Sequence, residues 1–146
     1  MKLYVASDKH GWIMKNEIVN HLKNTDHTYL VQDLGPTHED TVDAVCYAFF
    51  LASLVVEDQR DLGIFVSKTG NEAMIPMNRS KYTRACLCFN KDMAKISKKD
   101  INSNILVLPS EVVTPDNPLD IVDTWLKTKY DANNIDSVRK NMLMDM

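Results

Sequence analysis

Apolar residues recur along this chain in two rhythms, and the rhythms alternate. Five short runs read as strands: Lys2–Ser7, Thr28–Asp33, Asp61–Ser67, Thr83–Phe89 and Asn104–Leu108. Leu62-Gly63-Ile64-Phe65-Val66 and Ile105-Leu106-Val107-Leu108 are apolar on both faces, the pattern of strands covered on both sides of a parallel sheet. Between them, Gly11–Asn24, Thr41–Glu57 and Asn90–Lys99 space their apolar residues by three and four, as helices do. Asn90 is placed to cap the third of these, and Pro118 opens a further helix, Leu119–Tyr130, where proline is tolerated. The alternation predicts an α/β fold: a single-domain three-layer αβα sandwich around a five-stranded, Rossmann-like parallel sheet. Asp131–Asn134 reads as a break, and residues 135–146 as a last helix packing on a partner subunit.

The rule that crossovers are right-handed sends every strand-to-helix loop to one edge of such a sheet. Two of these loops are polar in the same way, Asp8-Lys9-His10-Gly11 and Ser67-Lys68-Thr69-Gly70-Asn71. Loops of this kind place side chains and helix-start N–H groups where a small, oxygen-rich anion can be held. On this topology Asp8, Lys9, Ser67, Thr69, Asn71 and Asp100 are all expected at that edge. Thr69 and the N–H groups around Gly70 are candidates to hold phosphate or an oxyanion, and Lys9 adds positive charge. Asp8 is suited to orient a hydroxyl or shuttle a proton, the alternative being a helix-capping carboxylate.

Composition narrows the partners. The 146 residues carry a net charge of −3, so no basic surface argues for nucleic acid. Lys91, Lys95, Lys98 and Lys99 are expected on a solvated helix face. With no secretory leader and no membrane-length apolar run, the expectation is a cytoplasmic protein without membrane contact. Cys46, Cys86 and Cys88 lack zinc spacing and the four histidines form no ligand set, so neither metal nor disulfide is expected. Cys86 and Cys88 alternate with apolar neighbours and read as buried small side chains.

The motif Ala6-Ser7-Asp8-Lys9-His10-Gly11-Trp12-Ile13-Met14-Lys15 resembles the opening of the ribose-5-phosphate isomerase B and galactose-6-phosphate isomerase family. Thr41-Val42-Asp43-Ala44, Leu62-Gly63-Ile64, Thr69-Gly70-Asn71, Asn102-Ser103-Asn104 and Tyr130-Asp131 follow in the family's order. Lysine directly after the aspartate, the absence of a stacking tyrosine near Val42-Asp43-Ala44, and Ser110-Glu111 where other branches have arginine are most similar to the A subunit of galactose-6-phosphate isomerase. The resemblance implies a metal-free and cofactor-free aldose–ketose isomerase of phosphorylated sugars, working through a cis-enediolate. It also implies a site shared between two subunits, in a homodimer or with a B-type subunit.

Carried onto this chain, the resemblance gives Asp8, Glu72, Thr69 and Ser67 as candidate catalytic residues. Lys9, His10, Gly70, Asn71, Asp100 and Arg139 are the candidates for substrate or phosphate binding. The departures are specific. Ser67 stands where one branch has a cysteine base, and Ala73 stands where another has a glutamate, with Glu72 one position away. Asp100 and Ile101 replace the ring-opening histidine and the asparagine after it. The terminal arginines fall around Asn133–Ser137, leaving Arg139 and Lys140 nearby. Pro76 is expected to break the helix after Gly70 unless that helix begins at Pro76. A sugar-phosphate binder or regulatory homodimer without turnover is the alternative on the same scaffold.

Overall fold

The structure is a computed structural model, and it describes residues 1–25, 27–38, 43–133 and 142–143. Ten elements alternate along these residues: β1 (Lys2–Ser7), α1 (Trp12–Thr25), β2 (Leu30–Gly35), α2 (Ala44–Glu57), β3 (Leu62–Ser67), α3 (Asn71–Met77), β4 (Ala85–Leu87), α4 (Lys91–Ile101), β5 (Ile105–Pro109) and α5 (Pro118–Lys127). The strands form one all-parallel sheet in the order β2-β1-β3-β5-β4. This is the three-layer architecture expected from the alternation.

The period of two along each strand sorts the core into two halves. Leu3, Val5, Ile64, Val66, Leu106 and Leu108 face α1, α4 and α5, meeting Ile18, Leu22, Ala94, Ile121 and Trp125. Tyr4, Ala6, Phe65, Ile105 and Val107 face α2 and α3, meeting Ala48, Leu51, Val55, Ala73 and Met77. All six residues of β3 are buried, as its unbroken apolar run requires of the central strand. Cys88 is buried in the first cluster, Cys86 packs against it, and burial pushes their thiols up to about 12 and about 11.

Local chemistry sets the ends of the helices. Asp43 caps α2 through its side chain to the Val45 N–H at 2.7 Å. Asn90 caps α4 at Met93 (2.8 Å), as its position in the sequence predicts. Asn117 caps α5, which begins on Pro118 and ends at Lys127, three residues earlier than expected. β4 is shorter than its sequence run, Ala85–Leu87 instead of Thr83–Phe89. At its start the Arg84 N–H turns to Asn104 Oδ1, while at its end the Cys88 N–H still donates to Val107 O of β5.

Three expectations are corrected. Pro76 does not open α3; the helix starts at Asn71 and carries Pro76 one residue from its end, where only one internal hydrogen bond is forfeited. Lys98 is not on a solvated face. It is 9% exposed, its ammonium donates to Ser103 O at 2.9 Å and lies 4.4 Å from the Trp125 ring centre. The reason is that α4 packs on α5 along Ala94, Ser97 and Lys98, one helical turn of small residues closed by the lysine stem. Asp100 does not reach the edge that carries Asp8. It sits in the last turn of α4, which runs back to the opposite edge before β5 begins at Ile105. Arg139 and most of the expected terminal helix over residues 135–146 lie outside the described residues.

Candidate functional site

The polar loops after β1 and β3 are tied together by one carboxylate. Asp8 is 5% exposed, and its Oδ1 accepts the His10 and Gly11 N–H groups at 2.8 Å each. Its Oδ2 accepts the Lys68 N–H at 3.1 Å, and the Asp8 N–H donates to Val66 O at 3.0 Å. Three N–H donors occupy this carboxylate, so its first task is to hold the loops in register. Gly11 is required at this contact, because a Cβ there would stand 2.4 Å from Val66 O.

A third loop closes the arrangement. After β5, the Ser110 N–H donates to Ser67 O at 2.8 Å and the Glu111 N–H to Lys68 O at 3.0 Å, so the ladder continues beyond the strands. This brings the Glu111 carboxylate to His10, with Oε1 2.8 Å from Nδ1, and within 3.8 Å of the Lys68 ammonium. Gly70 turns the β3 loop into α3 at φ +85°, where a Cβ would also strike Leu87.

Asp8, His10, Ser67, Lys68, Thr69 and Glu72 line a cleft of about 410 Å³ at this edge. Five of the six come from the sequence candidates, and the cleft brings Asp8 and Thr69 to one place. The backbone donors expected to hold an oxyanion are in part engaged already. The Gly70 N–H donates to Ser67 Oγ at 3.0 Å, and the Asn71 N–H makes a long 3.4 Å contact to Thr69 Oγ1. Ser67 is therefore a buried tie within its own loop, and among the described residues its hydroxyl makes no hydrogen bond to a base that would activate it. Glu72, exposed on the first turn of α3, is the carboxylate of the cleft that makes no hydrogen bond or ion pair among the described residues.

The remaining candidates separate. Lys9 is exposed on the β1 loop and Asn71 on the first turn of α3, both outside the cleft lining. Asp100 lies at the far edge of the sheet. Lys68 and Glu111 belong to the site and were not among its sequence candidates. Their signal was positional, since Lys68 follows directly on β3 and Glu111 comes two residues after β5, and both strand ends must reach this edge. A larger cavity of about 690 Å³ lies at the opposite edge and includes Arg84, Lys98, Asn102 and Tyr130 in its wall. None of the candidate residues lines it. There Lys98 and Arg84 serve the fold, Lys98 donating to Ser103 O and Arg84 to Asn102 O.

The sequence profile described as Ribose/Galactose Isomerase matches residues 3–143. Ribose-5-phosphate isomerase B of Escherichia coli is 32% identical over 131 residues, covering 90% of this chain and 87% of that protein. The crystal structure of a ribose 5-phosphate isomerase from Thermotoga maritima superposes with a TM-score of 0.89 at 31% identity, over 99% of this chain and 98% of that one. Ribose-5-phosphate isomerase B from Mycoplasma genitalium, solved with bound ribulose-5-phosphate, gives a TM-score of 0.90 at 30% identity, over 99% and 94%.

Proposed function

Since the chain belongs to the ribose/galactose isomerase family, and is thereby a sugar-phosphate isomerase, we propose that the cleft at the ends of β1, β3 and β5 interconverts ribose 5-phosphate and ribulose 5-phosphate. The observation that carries this reading is the convergence of Asp8, His10, Ser67, Thr69 and Glu72 on one cleft. Isomerisation needs a base for the proton on the carbon beside the carbonyl. It also needs donors for the enediolate oxygens and a route to return the proton to the neighbouring carbon. Glu72 is the base in this reading. It is the carboxylate left for the task once Asp8 is committed to three N–H groups. The Thr69 hydroxyl and Lys68 ammonium meet the negative charge of the enediolate and the phosphate.

The test is turnover by the pure chain on ribose 5-phosphate, with incorporation of solvent deuterium at the carbon that is deprotonated. Glu72→Gln lowers kcat by about 10²–10⁴-fold, the usual contribution of a general base. An unchanged rate in that variant removes Glu72 from the mechanism. Ligand binding without turnover in the parent chain instead identifies the non-catalytic binder.

A second reading is favoured by Glu111. A carboxylate at the rim of a phosphate-binding cleft repels the substrate, and a neighbouring chain that brought positive charge would offset it. That is the condition expected of an A-type subunit of galactose-6-phosphate isomerase, acting with a B-type subunit. Assembly has a surface to use, because Val45, Phe49 and Ile75 leave an exposed apolar groove of about 470 Å³ beside Glu72. Mixing the chain with a B-type subunit on galactose 6-phosphate distinguishes the readings. A gain on mixing supports the second, and full turnover of ribose 5-phosphate by the chain alone supports the first. No helix among the described residues is long and apolar enough to cross a membrane, and the reading places the enzyme in the cytoplasm.

A further inference from the structure

The cavity of about 690 Å³ lies where β1, β3, β4 and β5 begin and where α4 and α5 end, and it shares no wall residue with the cleft. Its wall takes Arg60, Arg84, Lys98, Lys127 and Lys129 and, among the described residues, no aspartate or glutamate. In a chain of net charge −3 that is a one-sided surface.

Part of this positive charge has local work. Arg60 is exposed and holds Asp58 at 2.7 Å, which removes it from the count. A helix C-terminus carries about half a negative elementary charge, and two helices end here. Lys98 answers the end of α4 by donating to Ser103 O at 2.9 Å, and Arg84 Nε donates to Asn102 O at 2.8 Å. Two half charges fall well short of Lys98, Lys127 and Lys129 together, before Arg84 is added. The surplus is felt inside the fold, since the positive charge of Arg84 joins burial in pulling the Lys98 ammonium down. A multiply charged anion in the cavity would offset that repulsion.

The cations are also graded in depth, with Lys127 and Lys129 exposed, Arg84 half-buried and Lys98 buried. Much of the remaining wall is apolar. Tyr29 and Leu126 pack on the core behind it, and the half-buried Tyr130 follows Lys129. A bare ion needs no such wall. A volume of this size, with apolar area and a few placed charges, suits an organic ligand. Flat rings pack favourably on tyrosine, and guanidinium and ammonium groups are the usual partners of phosphate.

We propose that this cavity binds a nucleotide, with its phosphates on Lys98, Arg84, Lys127 and Lys129 and its base against Tyr29 and Tyr130. The site lies outside the isomerase cleft, and its occupancy does not depend on the isomerase reading.

Titration calorimetry of the full chain with ADP tests this. One ADP per chain is expected, bound at least about ten-fold more tightly than inorganic phosphate or adenosine. Excess ribose 5-phosphate, as the competitor for the cleft, does not displace it. Lys127→Ala combined with Lys129→Ala, at two exposed positions, weakens ADP by about ten-fold or more. Lys91→Ala combined with Lys95→Ala, exposed elsewhere on α4, leaves it unchanged. At pH 8, where Lys98 is about half protonated, a bound polyanion favours its charged form. Titrations in two buffers of different ionisation enthalpy then report uptake of a fraction of a proton, and Lys98→Met abolishes that uptake.

Displacement of ADP by ribose 5-phosphate puts it in the cleft and overturns the assignment. So does an unchanged affinity in the Lys127 and Lys129 double variant, or no binding at about 1 mM ADP. Inorganic phosphate or adenosine as tight as ADP removes the nucleotide as the occupant, and proton uptake that persists in Lys98→Met removes Lys98 from the site.

Discussion

Asp8 shows how one residue can answer two descriptions. From the sequence it reads as either a reactive acid or a capping carboxylate, and the structure gives it three N–H groups to hold while leaving it in the wall of the cleft. Asp8→Ala strands those donors. A buried N–H without a partner costs about 1–3 kcal/mol, so the variant is expected to lose on the order of 2–4 kcal/mol. Urea unfolding with an unchanged slope checks this. Asp8→Asn is milder, since its oxygen still serves His10 and Gly11 while its amide confronts the Lys68 N–H. A loss below about 0.5 kcal/mol in Asp8→Ala would mean that the loops hold themselves.

The helix α4 carries a prediction of its own. Burial, aided by the positive charge of Arg84, pulls the Lys98 ammonium down to about 8. Below that pH the lysine is protonated in both folded and unfolded chains, and the fold bears the whole cost of a buried charge. Between about 8 and the ordinary value of 10.5 the unfolded chain binds the proton and the folded chain does not, so this group's contribution to stability rises with pH. Lys98→Met removes the dependence. The stability of the parent relative to Lys98→Met is expected to improve from pH 7.5 to pH 10, measured by denaturant unfolding at both values; a constant difference contradicts the burial argument. Lys98 also shows where sequence patterns stop. Four lysines at helical spacing look alike, and only the neighbouring α5 decides which one is covered. β3 and β5 were legible because their burial on both faces is written as an unbroken apolar run. Pro76 misled because a proline near the end of a short helix forfeits little, and spacing alone does not say where the helix stops. Asp100 misled because placing it required knowing that α4 continues to Ile101. Glu111 escaped as a site residue because its partner His10 lies in another loop, and only the continued ladder between Ser67-Lys68 and Ser110-Glu111 brings them together.

At the scale of the molecule, the sheet divides the chain into a chemical edge and a structural edge. The right-handed β-α path gathers Asp8, His10, Ser67, Thr69, Glu72 and Glu111 at one, while Lys98, Ser103 and Trp125 build a buried polar knot near the other. The thiols report on the interior between them. Cys46 is exposed, whereas Cys86 and Cys88 are held well above the ordinary thiol range by burial. At pH 8 one thiol is expected to react rapidly with a disulfide reagent and two only as fast as the fold opens. Three equally fast thiols would mean a core looser than this packing. The indole of Trp125, fully buried, donates to Ser103 Oγ at 2.7 Å beneath the Lys98 ammonium, while Trp12, the other tryptophan, is half-buried at the start of α1, two residues beyond His10 of the cleft wall. The protein thus has two intrinsic fluorophores at opposite poles: replacing Trp125 with phenylalanine isolates emission that responds to a guest in the cleft, and replacing Trp12 isolates emission that responds to melting of the scaffold.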